Sequence, residues 1–536
     1  MNKNLLITLT LALVVLPNLS SAQSPVLGTT AGYALFSSNG AVSNIGLSHL
    51  TGNVGTNNGS STNFGNVDGV MHDADGATAI AAAELIIAYD QLDAAIPTMF
   101  PAPLLGNGQE LNPGIYFIGA PASLDNILTL NGQDNPDSIF IFQIEGAFSS
   151  SAGSQVILTN GALACNVFWK IEGLVDLATN TSIKGTIVAN NAAIIMNEGV
   201  SLEGRALSTT GAVTVSGVTV ATPIGCNSIE PVGPAAPPLN SVACYTIFSG
   251  NGYVANTGVT FVTGDVGTNV GLTTGFQDEN VTGTIHADPD VSTAQCAQDL
   301  NGVYTYLNML PTDIELLYPA DFGNELVLTP HTYIMNAATV LTGNVYLNGM
   351  GNADAVFVIK IYGALSTSTY AAVKLTNGTK AENVYWKVDG AVDLNDYADF
   401  KGTLICNNGA MIINLGTTIE GRVLSTTGDV STFGINATMT PGCGVLGTGS
   451  ELTVAAASAK FYPNPFAGTL NVSVDAQFQN SQSELMIYNA IGALVLQTTL
   501  TDTDTSINAD FPSGVYFYKV VSDNGTVQAG KLISKQ

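Results

Sequence analysis

The side chains able to do chemistry are few and scattered. The four histidines, His49, His72, His286 and His331, form no metal-spaced cluster, and neither GxSxG nor HExxH occurs. His72-Asp73-Ala74-Asp75-Gly76 has the start of a calcium loop without its remaining ligands, and reads better as the start of a helix. Glu203 with Arg205, and Glu420 with Arg422, read as structural ion pairs at a corner of the fold. Glycan lyase or hydrolase chemistry requires placed carboxylate pairs or bases, which this pattern does not supply. No catalytic residue, metal ligand or cofactor is expected.

What remains is a stock of Thr, Ser, Ala and Asn on a repeating frame. Asn166 to Thr214 aligns with Asn383 to Ser431 at a constant offset of 217 residues, without a gap over 49 positions and with 26 identities. A domain is therefore duplicated. Inside each copy runs a shorter step of 19 residues, which lays Gly185 on Gly204, Asn191 on Thr210 and Ala193 on Ala212. A period near 20 in small and β-branched residues, punctuated by Gly and Asn, is the pattern of a solenoid whose coils stack over a shared core. Alternation in Ala212-Val213-Thr214-Val215-Ser216 marks its strands. With Val213 and Val215 inward, Thr210, Ala212, Thr214 and Ser216 point outward, and one coil away Asn191, Ala193, Ile195 and Asn197 occupy equivalent sites.

One helix interrupts each copy. Ala77 to Ile96 has helical composition and apolar spacing, with Asp73 or Asp75 as its cap, and Val291 to Leu310 is its counterpart after Asp288-Pro289-Asp290. The expected division is a signal peptide over 1–22, solenoid domains over 26–229 and 241–446, a Pro-rich spacer over 230–240, a linker over 447–460 and a C-terminal domain over 461–536. Lys3, the apolar run from Leu5 to Leu16 and Ser20-Ser21-Ala22 suit a secretory signal, which places the protein outside the cell. The six cysteines are then free to pair, by default within domains. A net charge of -27, from 14 basic and 41 acidic residues, argues against nucleic acid as a partner. The tail has strand candidates at Glu484 to Tyr488, Ala493 to Thr499, Val515 to Val521 and Thr526 to Ile533, and its length suits a small β-sandwich.

The duplicated unit resembles the β-solenoid ice-binding proteins of microbes. The resemblance rests on Thr51-Gly52-Asn53-Val54-Gly55, the single long helix, Pro113-Gly114-Ile115-Tyr116, Ile139 to Ile144, Asn166-Val167-Phe168-Trp169-Lys170 and Gly204-Arg205-Ala206-Leu207, with counterparts such as Asn383 to Lys387 and Gly421 to Leu424. It implies a mostly β chain of two tandem right-handed, irregular β-helices, each with one flanking α-helix, and adsorption to ice crystals. The tail, through Phe461-Tyr462-Pro463-Asn464-Pro465-Phe466, Pro512-Ser513-Gly514-Val515-Tyr516 and Lys531-Leu532-Ile533, resembles the C-terminal sorting domain of type IX secretion. That implies export to the medium or the outer cell surface; a surface adhesin or structural module is the alternative role.

An ice-binding face calls for rigidity, small apolar groups and uncharged hydrogen-bonding groups at sheet spacing. The expected face is Asn191, Ala193, Ile195, Asn197, Thr210, Ala212, Thr214 and Ser216, extended by Ala41, Ser43 and Thr56. A weaker one is expected in the second copy at Asn408, Ala410, Ile412, Asn414, Thr427 and Ser431, since Asp429 adds charge there, Phe433 adds bulk and Tyr253 replaces Ala41.

Overall fold

The computed structural model describes residues 23–226, 231–443, 459–474, 483–489, 493–500, 503–522 and 527–535. The expected signal segment at 1–22 lies outside them. Residues up to Cys443 form one compact unit and the tail another.

The first unit holds two parallel β-helices. The 19-residue step is the in-register stacking of Ser182–Ala189 on Ser201–Ser208, from Ser182 beside Ser201 to Ala189 beside Ser208. Before the glycine corner the burial alternates, with Ile183 inward and Lys184 outward. After it, Thr186 to Ala189 are buried on both sides, as expected of parallel strands covered on two faces. One cover is the solenoid core, where Phe142, Phe148 and Trp169 stack at centroid distances of 4.1 and 5.3 Å. The other is a helix, α1 (Gly76–Asp93), which buries Ala81, Leu85, Ala88 and Leu92 against Phe36, Phe168, Val188 and Leu207. The second copy repeats the plan with α2 (Val291–Met309).

Both helices start on a reciprocal capping box. Asp75 Oδ1 accepts from Thr78 N at 2.8 Å while Thr78 Oγ1 accepts from Asp75 N at 2.9 Å, and Asp290 with Thr293 does the same. α1 ends before the expected Ile96 because Pro97 disfavours helical backbone at the residue preceding it. Lys170 locks α1 to the solenoid through Asp93, Glu145 and Glu172 at 2.6 to 3.0 Å. Burial alone would lower the Lys170 pKa, but hydrogen bonds to Asp93, Glu172 and Glu145 outweigh it and raise the pKa.

Coils do not stack in chain order. Val42–Ile45 pairs with Val213–Ser216, so the opening strands close over the last coil. Cys165 pairs with Cys226 and Cys244 with Cys443, each within one copy. The remaining cysteines, Cys296 and Cys406, are reduced and buried, and burial pushes the Cys406 thiol up to about 12 and that of Cys296 higher still. Thiol reagents at neutral pH should therefore leave the native protein untouched and modify two thiols per chain once it is unfolded; rapid native labelling would contradict this burial.

The structure corrects three expectations. Glu203 and Glu420 pair with Lys184 and Lys401 one coil away, not with the neighbouring arginines. The corner at Gly204 turns Arg205 inward to Ala31 O and Thr186, and Arg422 likewise bonds Ala243 O and Thr440. The Pro-rich segment is not a free spacer either, because Val232 O accepts from Val356 N at 3.0 Å and Ala235 O from the Tyr306 hydroxyl at 2.9 Å. Thr56 is fully buried and donates to Gly40 O at 2.7 Å, so it belongs to a corner and not to an outer face.

The tail is a small β-sandwich of six strands, mostly antiparallel, in which Ala459–Val474 pairs with both Asp504–Ala509 and Val527–Ser534. Leu470, Val472, Leu485, Ile487, Val520 and Leu532 fill its core.

Candidate functional site

One wall of each solenoid is a separate eight-stranded parallel sheet. In the first copy its strands are ordered Ser61–Thr62, Val42–Ile45, Val213–Ser216, Ile194–Met196, Val175–Leu177, Phe148–Ser150, Ala122–Asp125 and Leu104–Gly106. Alternation fixes which side chains leave this wall: Val42, Val213, Ile194, Val175, Phe148 and Ala122 are buried beneath it. The register then lines up Thr62, Ser43, Thr214, Ile195, Asp176, Ser149, Ser123 and Leu104 as an outer row. Beside it, Ala41, Ala212, Ala193, Leu174 and Ala147 form a second row, whose carbonyls accept from the next coil or its neighbour. Sheet geometry sets the step between positions at about 4.8 Å.

Of the expected residues, Ala41, Ser43, Ala193, Ile195, Ala212, Thr214 and Ser216 lie on this wall. Asn191 and Thr210 sit at its edge, on the turn leading into it, where Asn191 adopts a left-handed φ of 51°. Asn197 lies on the opposite edge with its amide committed, donating to Asp176 Oδ1 at 3.0 Å and Leu177 O at 2.8 Å. Asp176, Ser149, Ser123, Leu174 and Ala147 belong to the same wall and were missed. The step is 19 residues from Thr214 to Ile195 and again to Asp176, but 27 from there to Ser149, so a fixed period loses the later coils. The alternating Val175-Asp176-Leu177 was the available signal.

The second copy carries the corresponding wall. Its outer row is Thr274, Ala255, Ser431, Ile412, Asp393, Ser366 and Val340. The adjacent row is Tyr253, Asp429, Ala410, Ala391 and Ala364. Asn414 again ties down the acid of the preceding coil, donating to Asp393 Oδ1 at 2.7 Å. Asn408 and Thr427 are exposed at the turn, and Asn408 has a φ of 57°.

The two walls are smooth in different places. In the first, Ala41, Ala212 and Ala193 run level until Leu174, which is 41% exposed. In the second, Tyr253 and Asp429 disturb the end strands, but Ala410, Ala391 and Ala364 continue without a large side chain. The expected weakness of the second copy came from coils at that disturbed end. None of these four rows contains Lys or Arg.

Among the described residues no group of three or more His, Cys, Asp or Glu is placed to hold a metal ion. The deepest buried acid, Asp68, is engaged by Thr329 and Tyr333.

The ice-binding-like family model matches residues 36–221 and again 247–438, and the secretion system C-terminal sorting domain model matches 460–535. An ice-binding protein from Nostoc sp. (strain HG1) is 34% identical over 199 residues, covering 36% of this chain and 73% of its own length. One from Colwellia sp. is 30% identical over 244 residues, covering 41% and 94%. The crystal structure of an ice-binding protein from an Antarctic bacterium of the Flavobacteriaceae superposes with a TM-score of 0.76 at 69% identity, covering 78% of this chain and all of that one. The chain belongs to the ice-binding-like family, with two such domains in tandem ahead of a secretion sorting domain.

Proposed function

We propose that this protein is a secreted ice-binding protein that adsorbs to ice through the eight-stranded walls of its two solenoids and so restrains crystal growth or recrystallisation. The observation that carries the reading is the wall itself: two adjacent rows of mostly Ala, Ser, Thr and Ile, held on stacked parallel strands over a packed core. Small apolar groups leave the first water layer ordered, while hydroxyls and backbone groups anchor it by hydrogen bonds. Rigidity matters because each flexible side chain would have to be ordered on binding.

The working residues in the first copy are Ala41, Ser43, Ala193, Ile195, Ala212, Thr214 and Ser216, with Thr210 and Asn191 at the edge. In the second they are Ala364, Ala391, Ala410, Ile412 and Ser431, with Asn408 and Thr427 at the edge. Asp176 and Asp393 are charges within the walls, and the neighbouring asparagines hold them in place. The sorting domain serves as an address read by type IX secretion machinery. Attachment at the outer cell surface, with an adhesive role, is the second reading, favoured only by that domain.

The test is partition into slowly growing ice. Full-length protein should enter an ice shell grown on a cold finger while serum albumin stays in the liquid; equal exclusion of both would refute the reading.

A further inference from the structure

The two solenoids meet end to end, at ends that are not equivalent. The first copy contributes the end that closes with Ser61–Thr62, and the second the end that closes with Phe322–Gly323, each the terminal strand of its flat wall. Asn66 exchanges two hydrogen bonds of 2.9 Å with the backbone of Tyr318. Deeper in, Asp68 is 3% exposed and reaches across the junction. Its Oδ2 accepts from Thr329 Oγ1 at 2.7 Å and Thr329 N at 3.1 Å, and its Oδ1 lies 2.6 Å from the Tyr333 hydroxyl.

The junction fixes rotation as well as contact. The corner after the flat strand Val42–Ile45 faces the corner after the flat strand Phe322–Gly323 across a cleft of about 310 Å³. The next corner, at Gly52, faces Thr329 and His331 across a cleft of about 330 Å³. With these two successive corners matched and His49–Thr51 lying against Leu326–Leu328, the flat walls are set on the same side.

Duplication supplies an internal control. Asp68 O accepts from Gly52 N, and at the same place in the second copy Thr282 O accepts from Gly264 N, so the acid becomes threonine at the second copy's far end. Likewise Tyr333 donates to Thr329 O and Tyr116 to Asn112 O, so at the first copy's far end the threonine becomes asparagine while the tyrosine is kept. The tyrosine is present in both copies, whereas the acid and the threonine face each other where the copies meet.

We propose that Asp68, with Thr329 and Tyr333 as its receptors, is the positioning residue that stacks the solenoids in rotational register so that both flat walls meet one crystal surface. The claim rests on the ice-binding reading for its consequence but not for its geometry. Two faces held side by side bind with an avidity neither has alone, whereas faces free to turn apart lose it. Burial pushes the Asp68 carboxyl up, with the Tyr333 and Thr329 hydrogen bonds opposing, so a neutral amide of the same shape is tolerated there. Asn can accept from Thr329 through Oδ1 and donate through Nδ2 to the Tyr333 hydroxyl, whose single proton then goes to Thr329 O.

The experiment uses full-length protein spin-labelled at Asp90→Cys and Gln298→Cys, exposed positions on α1 and α2. The expected result is one narrow distance distribution in the parent and in Asp68→Asn, and a broad one in Asp68→Ala and, independently, in Thr329→Val. Retention on ice after washing should fall about tenfold in the two broadened variants and stay within about twofold in Asp68→Asn. An unchanged distribution in both Asp68→Ala and Thr329→Val overturns the lock. Broad distances with undiminished retention overturn its role on ice. Exclusion of the parent from ice overturns the ice-binding reading, and the distances still decide whether Asp68 sets the geometry.

Discussion

A chain carrying Thr214→Tyr and Ala391→Tyr together is expected to lose ice adsorption almost completely, while folding and secretion stay intact. Thr214 stands in the outer row of the first wall beside Ser43 and Ile195, and Ala391 in the second row of the other wall between Ala410 and Ala364. Both point away from the core, so a larger side chain costs little stability. On the wall a phenol ring would stand several ångströms above its neighbours and hold ice off the positions around it. Each single substitution should weaken adsorption about tenfold, equivalent to about 1.4 kcal/mol. The pair should exceed either, because each wall can anchor the chain alone. Thermal hysteresis and recrystallisation inhibition measure the loss, and circular dichroism checks the fold. Full activity in the double variant would mean that ice meets another surface. Ser431→Tyr, at the disturbed end of the second wall, should cost less than Thr214→Tyr.

Gly204→Ala should be the most damaging single methyl in the first solenoid. The repeat that laid Gly185 on Gly204 is a physical stack, and a Cβ at Gly204 would lie 1.9 Å from the Gly185 carbonyl oxygen. No rotamer relieves that contact, because the backbone fixes where the Cβ stands and its partner is a backbone carbonyl. The strand would have to move away from its neighbour, breaking a ladder that runs from Ser182 beside Ser201 to Ala189 beside Ser208. Overpacking of a well-filled core costs about 1–3 kcal/mol where side chains can shift, and a backbone clash should exceed that. For a domain of this size the melting temperature should fall by about 10 °C or more. Gly421→Ala is the matching change in the second solenoid, where the added Cβ would again lie 1.9 Å from a glycine carbonyl, that of Gly402. Scanning calorimetry that shows a shift of only a degree or two would contradict this account of the corner.

Much of the architecture was legible because solenoids write their period into the chain. The 19-residue step, Tyr33 to Ser37 with Tyr245 to Ser249, and the starts of the two helices stand where the pattern puts them, within one residue. Asp75, one of two candidate caps, is the one whose side chain reaches Thr78. What the sequence hid has specific causes. Thr56 has the residue type of a surface row, but its hydroxyl satisfies the Gly40 carbonyl inside a corner. Arg205 and Arg422 look like surface partners of the glutamates two residues before them, yet the glycine between turns each arginine inward. The coils carrying Ser149 and Ser366 escaped because loops lengthen the step there, and parallel stacking tolerates such insertions at corners. The end-to-end junction escaped because Asp68 is far along the chain from Thr329 and Tyr333 and meets them only when both copies have folded.

The most direct measurement is fluorescence-based ice-plane affinity on a single ice crystal, with the parent protein and the Thr214→Tyr, Ala391→Tyr double variant at equal concentration. The parent should mark defined planes of the crystal and the double variant should leave it dark. A dark crystal with the parent, or equal marking by both proteins, would contradict the claim that these two walls bind ice.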